Sequence, residues 1–324
     1  MHELSPRQKP LQDVADRLHE KYRALDEGAV ATDIPELAKA DPGGFGISLA
    51  AADGAVCTAG DWQKEFTIQS ISKALVYGLA LEQRGRDEVL RHVGVEPSGE
   101  AFNGLALNRQ NRPFNPMVNA GAICTTALVR AKPGGTRFDC ILDTLSRAAG
   151  RRLAVDEAVY QSEKATGHRN RALGHLLLNF GKIEGDVEEH LDLYFRQCSL
   201  LVNARDLAVM GATLANLGEN PVTREQVYQL PAVRDALSAM FTCGMYDFAG
   251  EWAHRVGVPA KSGVGGGIMA VVNRQLGVSV YSPRLDEHGN SVRGIRVCIE
   301  LAEEFGLHAF DYGNFGSSFL TSLG

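Results

Sequence analysis

Ser70 and Lys73, in QSISKALVYG, are the residues whose types and spacing most directly suggest chemistry: a hydroxyl and an amine three residues apart share one helix face. A serine becomes a nucleophile when a nearby base takes its proton, and a lysine partly desolvated in a cleft can lose its own proton near neutrality. At a strand-to-helix junction Ser70 also offers a backbone N–H with no intrahelical partner, free to face a developing oxyanion. The same residues fit an N-cap serine followed by a solvated lysine, so the pattern alone decides nothing.

The second feature is PAKSGVGGGIMAVV, where Lys261-Ser262-Gly263 resembles a K-[ST]-G signature and would run along an edge strand opposite the helix that begins at Ser70. A strand there offers the Val264 N–H as a second oxyanion donor, and Gly263 lets a substrate lie close to the backbone. A glycine-rich turn with an incidental lysine is the plain alternative. The two motifs gain weight from occurring together, in this order, with helical sequence between them.

These groups need elements to position them. LQDVADRLHEKYRAL, from Leu11, spaces its apolar residues at three- and four-residue intervals and predicts an N-terminal amphipathic helix. FGISLAAADGAVCTAG sets two apolar runs either side of Asp53-Gly54 and predicts an antiparallel hairpin. From Ser70 to about Met240 the pattern is helical, including SKALVYGLALEQ, FDCILDTLSRAAG, EEHLDLYFRQCSLL and ARDLAVMGATLANLG, with turns at Lys132-Pro133-Gly134-Gly135 and Gly218-Glu219-Asn220-Pro221. Strand patterns return in GGIMAVVN and QLGVSVYS, and SVRGIRVCIELAEEFG closes as a helix. Because a lone hairpin is marginal in water, early and late strands are expected to join one antiparallel sheet. The terminal helices would pack on it, giving an α/β (α+β) fold with an inserted helical lobe. The expected division is residues 1–69 plus 245–324 for the sheet lobe and 70–244 for the helical lobe, with the cleft between them.

The chain has 324 residues, enough for a large core, and its 44% hydrophobic and 22% charged residues exclude a disordered or fibrous class. With 33 basic against 39 acidic residues the net charge is -6, and no basic cluster is present to hold a nucleic acid. ALVYGLAL, the longest apolar run, is too short to cross a bilayer, and the opening MHELSPRQKP carries no apolar stretch for secretion, so a cytoplasmic protein with no membrane partner is expected. Cys57, Cys124, Cys140, Cys198, Cys243 and Cys298 form no C-x-x-C pair and are expected as reduced core thiols. His168 and His175 lack a third ligand, so no metal site is expected.

Several long strings, VGVEPSGEAFN, NRPFNPMVNAGAI, QSEKATGHRN, CGMYDFAG and PAKSGVGGG, together make the chain from about Ala31 to Leu307 resemble the serine-dependent glutaminases, which share the β-lactamase and penicillin-binding-protein (DD-peptidase-like) fold. The resemblance implies hydrolysis of the side-chain amide of L-glutamine to L-glutamate and ammonia through an acyl-enzyme, with no metal or organic cofactor, in a homodimer or homotetramer. It implies Ser70 as nucleophile, Lys73 as its base, and Tyr246 and Lys261 as further catalytic residues. A phenol between two lysines would be driven toward phenolate by their charge. Glu163 is the implied partner of the substrate ammonium. Asn119, Asn170 and Tyr194 supply amide and hydroxyl contacts, while Ser70, Tyr246 and Val264 also touch the substrate.

One position departs from the family. Before Ile34-Pro35, where these enzymes usually carry a substrate-contacting tyrosine, this chain has Asp33. A carboxylate there loses the aromatic wall and predicts weakened glutamine binding or altered preference. Two rival readings accompany the main one. A β-lactamase or peptidase on the same fold is disfavoured because the chain has no S-D-N triplet. A non-catalytic amino-acid-binding protein on the same scaffold is encouraged only by Asp33.

Overall fold

The structure, a computed structural model, describes residues 8–99 and 103–311. Met1 to Arg7 of the opening segment and Glu100 to Phe102 of VGVEPSGEAFN lie outside the described residues. The strands are β1 (Gly46–Ala51), β2 (Val56–Gly60), β3 (Phe66–Thr67), β4 (Ala154–Val155), β5 (Leu200–Val202), β6 (Ala260–Gly263), β7 (Gly267–Val272) and β8 (Leu276–Tyr281). The Asp53-Gly54 hairpin forms as expected, with Gly54 at φ +96°, a value that favours glycine.

One antiparallel sheet, in the order β2-β1-β8-β7-β6, joins the two ends of the chain through the β1–β8 pairing, which aligns Ser48 with Ser279. Every residue of β7 is buried, so the strand reads as a continuous apolar run covered on both faces. On one face lie the terminal helices Gln8–Tyr22 and Val292–Phe305, whose Ala15, Leu18, Val297 and Cys298 share a core with Ile47, Leu49, Ile268 and Val280. The other face carries the helix Ala204–Ala215. Gly277 makes that contact close, because a β-carbon there would lie 2.1 Å from the Ala208 carbonyl oxygen and 2.3 Å from the Ala212 nitrogen.

The helices Arg86–His92, Asn119–Leu128, Arg137–Ala149 and Leu230–Cys243 pack against Ser72–Arg84, which is buried continuously from Ser72 to Leu81 and is therefore a central core helix. All six cysteines are buried and free, as their apolar neighbours predict.

One feature was not expected. A second, three-stranded sheet, β3-β5-β4, sits within the helical region. The helix Val187–Cys198 stops before Leu200, where the pattern EEHLDLYFRQCSLL reads as helix throughout. Three apolar residues after a helix do not change its period, so the short strand is invisible to periodicity. This small sheet matters because β3 leads directly into Ser70.

Candidate active site

Ser70 lies in a single 3₁₀ turn, Gln69–Ile71, between β3 and the helix Ser72–Arg84. The chain is held there from both sides. The Ile68 N–H donates to the Leu200 carbonyl at 2.8 Å, and the edge strand β6 packs against the turn. Glycine permits that approach: a β-carbon on Gly263 would sit 3.0 Å from the Ile68 oxygen, and one on Gly265 only 2.6 Å from the Thr67 oxygen. Gln69 has φ +48°, a left-handed conformation costing a non-glycine residue about 1–3 kcal/mol. Buried polar contacts hold it: Gln69 Nε2 donates to Thr67 Oγ1 at 3.1 Å, and Ser72 Oγ donates to the Gln69 carbonyl at 2.8 Å. Gln197 then donates to Ser72 Oγ at 3.2 Å and accepts from Thr126 at 2.8 Å. The hydroxyl of Ser70, 7% exposed, therefore stands on an over-determined turn.

Lys73 is fully buried, more deeply than the partly desolvated lysine that the sequence suggests. Its Nζ donates to Asn119 Oδ1 at 2.6 Å and to the Met117 carbonyl at 3.3 Å. Burial pulls its pKa down to about 8 against weaker upward pulls from Cys198 and Glu163, so a substantial neutral fraction exists near pH 8. Asn119 opens the helix Asn119–Leu128 and passes the contact on, its Nδ2 donating to Asn170 Oδ1 at 3.0 Å.

Tyr246 enters from the 3₁₀ turn Tyr246–Phe248, also with positive φ, +57°. Its hydroxyl donates to the Ser262 carbonyl at 3.2 Å and shares a hydrogen bond with Ser70. Lys261, also fully buried, places its Nζ 4.3 Å from the centre of the Tyr246 ring and donates to the Ser262 and Gly244 carbonyls at 2.7 and 3.0 Å. The expectation of a phenolate is reversed. Burial raises the phenol's pKa well above its ordinary value and outweighs the Ser70 hydrogen bond, while burial and the nearby Lys73 push Lys261 well below the usual lysine range. Burial thus favours the neutral form of each.

A cavity of about 190 Å³ opens in front of Ser70. Ser70, Asn119, Glu163, Asn170, Tyr194 and Val264 all line it, although they come from six separate segments. Lys73, Lys261 and Tyr246, the last expected to touch the substrate, are buried and not among its lining residues. Glu163, on the helix Glu157–Thr166, is 6% exposed, and its Oε2 has no hydrogen-bond partner. Burial lifts its pKa to about 8, with Lys73 pulling the other way. A buried carboxyl with one unpartnered oxygen, on a residue lining a cavity, is suited to a cationic guest. The Tyr194 hydroxyl hydrogen-bonds the Cys198 thiol, and burial raises both pKa values.

Sequence reasoning missed Gln69 and Cys198 as parts of this wall. Neither carries a signal: left-handed backbone is not announced by glutamine, and Cys198 is indistinguishable from the other core thiols. Asp33 and Arg169 are exposed and line the same cavity. His168 and His175 are exposed on one helix, and no cluster able to hold a metal ion occurs among the described residues.

The sequence and the fold resemble those of known proteins. A family model described as Glutaminase matches residues 28–310. The Glutaminase of Trichormus variabilis is 57% identical over 310 residues, covering 95% of this chain and 93% of its own, and that of Nostoc sp. is 56% identical with the same coverage. Among solved structures, one described as Probable glutaminase ybaS superposes with a TM-score of 0.90 at 40% identity, covering 95% of this chain and 99% of that one. Another, of Mglu in its glutamate form, gives 0.87 at 43% identity over 93% of this chain and 70% of that one. The fold is thus the β-lactamase-like one. Matched along nearly its whole length in both sequence and backbone, the chain belongs to the glutaminase family.

Proposed function

We propose that this enzyme hydrolyses the side-chain amide of L-glutamine to L-glutamate and ammonia through an acyl-enzyme on Ser70. One observation carries the reading: the cavity lined by Ser70 is also lined by Glu163, a buried residue whose Oε2 has no hydrogen-bond partner. A free amino acid fits both ends, its ammonium beside Glu163 and its side-chain amide at Ser70, with Asn170 and Tyr194 as polar contacts for the α-carboxylate.

Ser70 Oγ attacks the amide carbon as neutral Lys73 takes the hydroxyl proton, with Tyr246 relaying through its shared hydrogen bond. The tetrahedral oxyanion faces the N–H groups of Ser70 and Val264. The proton passes to the leaving nitrogen, the C–N bond breaks, and ammonia departs. Water then adds to the ester carbonyl, giving its proton to the same base, and collapse releases glutamate and restores Ser70. Ser70, Lys73, Asn119 and Glu163 belong to the proposed 70–244 lobe, and Tyr246, Lys261 and Val264 to the other, so the groups meet only when both are folded. A homodimer or homotetramer in the cytoplasm is the assembly and location the family implies. Among the described residues no helix is long and apolar enough to cross a membrane.

Ser70→Ala tests the reading. The variant should keep the parent's circular dichroism and release no ammonia from glutamine; substantial residual turnover would defeat the mechanism.

A further inference from the structure

Tyr246 is held in a conformation that its residue type disfavours, at φ +57°, and nothing in the proposed chemistry supplies the restraint. The turn Asp286–Asn290 does. It joins β8 to the helix Val292–Phe305 and is rigid in its own right: Asp286 Oδ1 accepts the N–H groups of His288 and Asn290, each at 2.9 Å, and the Asp286 N–H donates to the Asn290 carbonyl at 2.8 Å. Ser291, the next residue, caps that helix by accepting the Gly294 N–H at 3.2 Å, which ties the turn to a long element.

From this base the turn reaches both neighbours of Tyr246 and the ring between them. Asn290, fully buried, donates from Nδ2 to the Met245 carbonyl at 3.4 Å. His288 Nδ1 lies 3.0 Å from Asp247 Oδ1, and its ring stands 5.6 Å from that of Phe248. Between them Gly289, at φ +87°, lies flat against the site: a β-carbon there would be 3.7 Å from Tyr246 Cε2 and 3.8 Å from Val264 Cγ1. One turn therefore braces the phenol and the residue offering the second oxyanion N–H. Partly exposed ion pairs such as His288–Asp247 contribute little to stability, which leaves geometry as what this one supplies.

We propose that the Asp286–Asn290 turn is a clamp that aims the Tyr246 hydroxyl at Ser70, with Asn290 and His288 as positioning residues for amide hydrolysis. The proposal rests on the reading of Tyr246 as a proton-transfer group and adds the residues through which the fold places it.

The test uses the full chain, glutamine as substrate and ammonia release as readout, with kcat and KM measured for Asn290→Ala, His288→Ala, His288→Gln and Tyr246→Phe, and for Asn290→Ala and His288→Ala each combined with Tyr246→Phe. Asn290→Ala should lower kcat about 10- to 100-fold with KM within about threefold, the pattern of a group acting in the transition state. His288→Ala should lower it about three- to tenfold, and His288→Gln, which retains a donor toward Asp247, should return to within about twofold of the parent. In the Tyr246→Phe background neither substitution should cost more than about twofold further, because the clamp acts through the phenol. Losses that persist undiminished in that background, a change in KM alone, or parental kcat in Asn290→Ala would overturn the clamp. Should Asn290→Ala fail to fold, the His288 variants alone decide, by the same criteria. Parental kcat in Tyr246→Phe overturns the reading of Tyr246 itself, a result distinct from any failure of the clamp.

Discussion

Replacing Glu163 by glutamine removes one charge while keeping the side chain's shape, and the expected effect follows from where that charge sits. A carboxylate and an ammonium about 3 Å apart attract by roughly 5 kcal/mol at an effective dielectric constant of about 20. Stripping water from the ammonium offsets part of this, and hydrogen bonds to charged groups are worth about 1.5–3 kcal/mol net, so a loss of about 2–4 kcal/mol is reasonable. At about 1.4 kcal/mol per factor of ten, KM for glutamine should rise about 30- to 1000-fold. The ammonium is bound equally before and during reaction, so kcat should stay within about fivefold.

Three pH signatures separate this from general damage. Burial raises the Glu163 pKa to about 8, so binding an ammonium below that pH requires the carboxyl to lose its proton first. Parental KM should therefore improve about tenfold between pH 6.5 and 8, while Glu163→Gln should show no such trend. Glu163 also holds the Lys73 pKa up, so the variant should move the acid limb of kcat to lower pH. For stability, an acid with a raised folded pKa favours folding below its unfolded value and loses that contribution as pH rises through the folded one. Relative to the parent, Glu163→Gln should accordingly gain in Tm from pH 5 to 8. Initial rates of ammonia release over pH 6–9, with melting curves at each pH, supply every quantity. A KM within threefold of the parent, or a kcat lost as completely as expected for Ser70→Ala, would refute the assignment of Glu163.

Asp33→Tyr should raise kcat/KM for glutamine by restoring an aromatic wall at the exposed mouth of the cavity, and an unchanged value would remove Asp33 from the specificity argument. Gly265→Ala places a β-carbon 2.6 Å from the Thr67 oxygen, so the β6–β7 loop must withdraw from the Ser70 turn. Loss of a well-placed oxyanion donor costs about 100- to 1000-fold, and kcat should fall by at least tenfold with a modest drop in Tm; a parental kcat would show that Val264 is not that donor.

Part of this was legible in residue types and spacing. Ser70, Lys73, Lys261 and Val264 were suggested by what a nucleophile, its base and an oxyanion need, although the spacing of Ser70 and Lys73 alone decides nothing, and the joining of early and late strands in one sheet was expected from the instability of a lone hairpin. Glu163, Asn119, Asn170, Tyr194 and Tyr246 came only through family strings, because each sits on its own element and their convergence depends on tertiary packing. Gln69 and Tyr246 adopt left-handed backbone without glycine, which no propensity announces. The phenolate expected of Tyr246 fails for a general reason: the burial that brings the lysines near also opposes ionisation of the phenol and lowers the lysines' own pKa values.

That last point organises the site. Burial pulls Lys73, Lys261, Tyr246 and Glu163 alike toward their neutral forms, so the fold opposes charge around Ser70, and the substrate brings charge with it. When an ammonium binds, Glu163 ionises to meet it; an ionised Glu163 alone would raise the Lys73 pKa and hold the base protonated. The paired ammonium cancels that field, leaving Lys73 free to accept the Ser70 proton. A substrate with the same side-chain amide but no α-amino group would either leave Glu163 protonated and forgo the ammonium contact, or meet an ionised, unpaired Glu163 that holds Lys73 protonated. Selection for a free amino acid thus arises from the same coupling that sets the strength of the base.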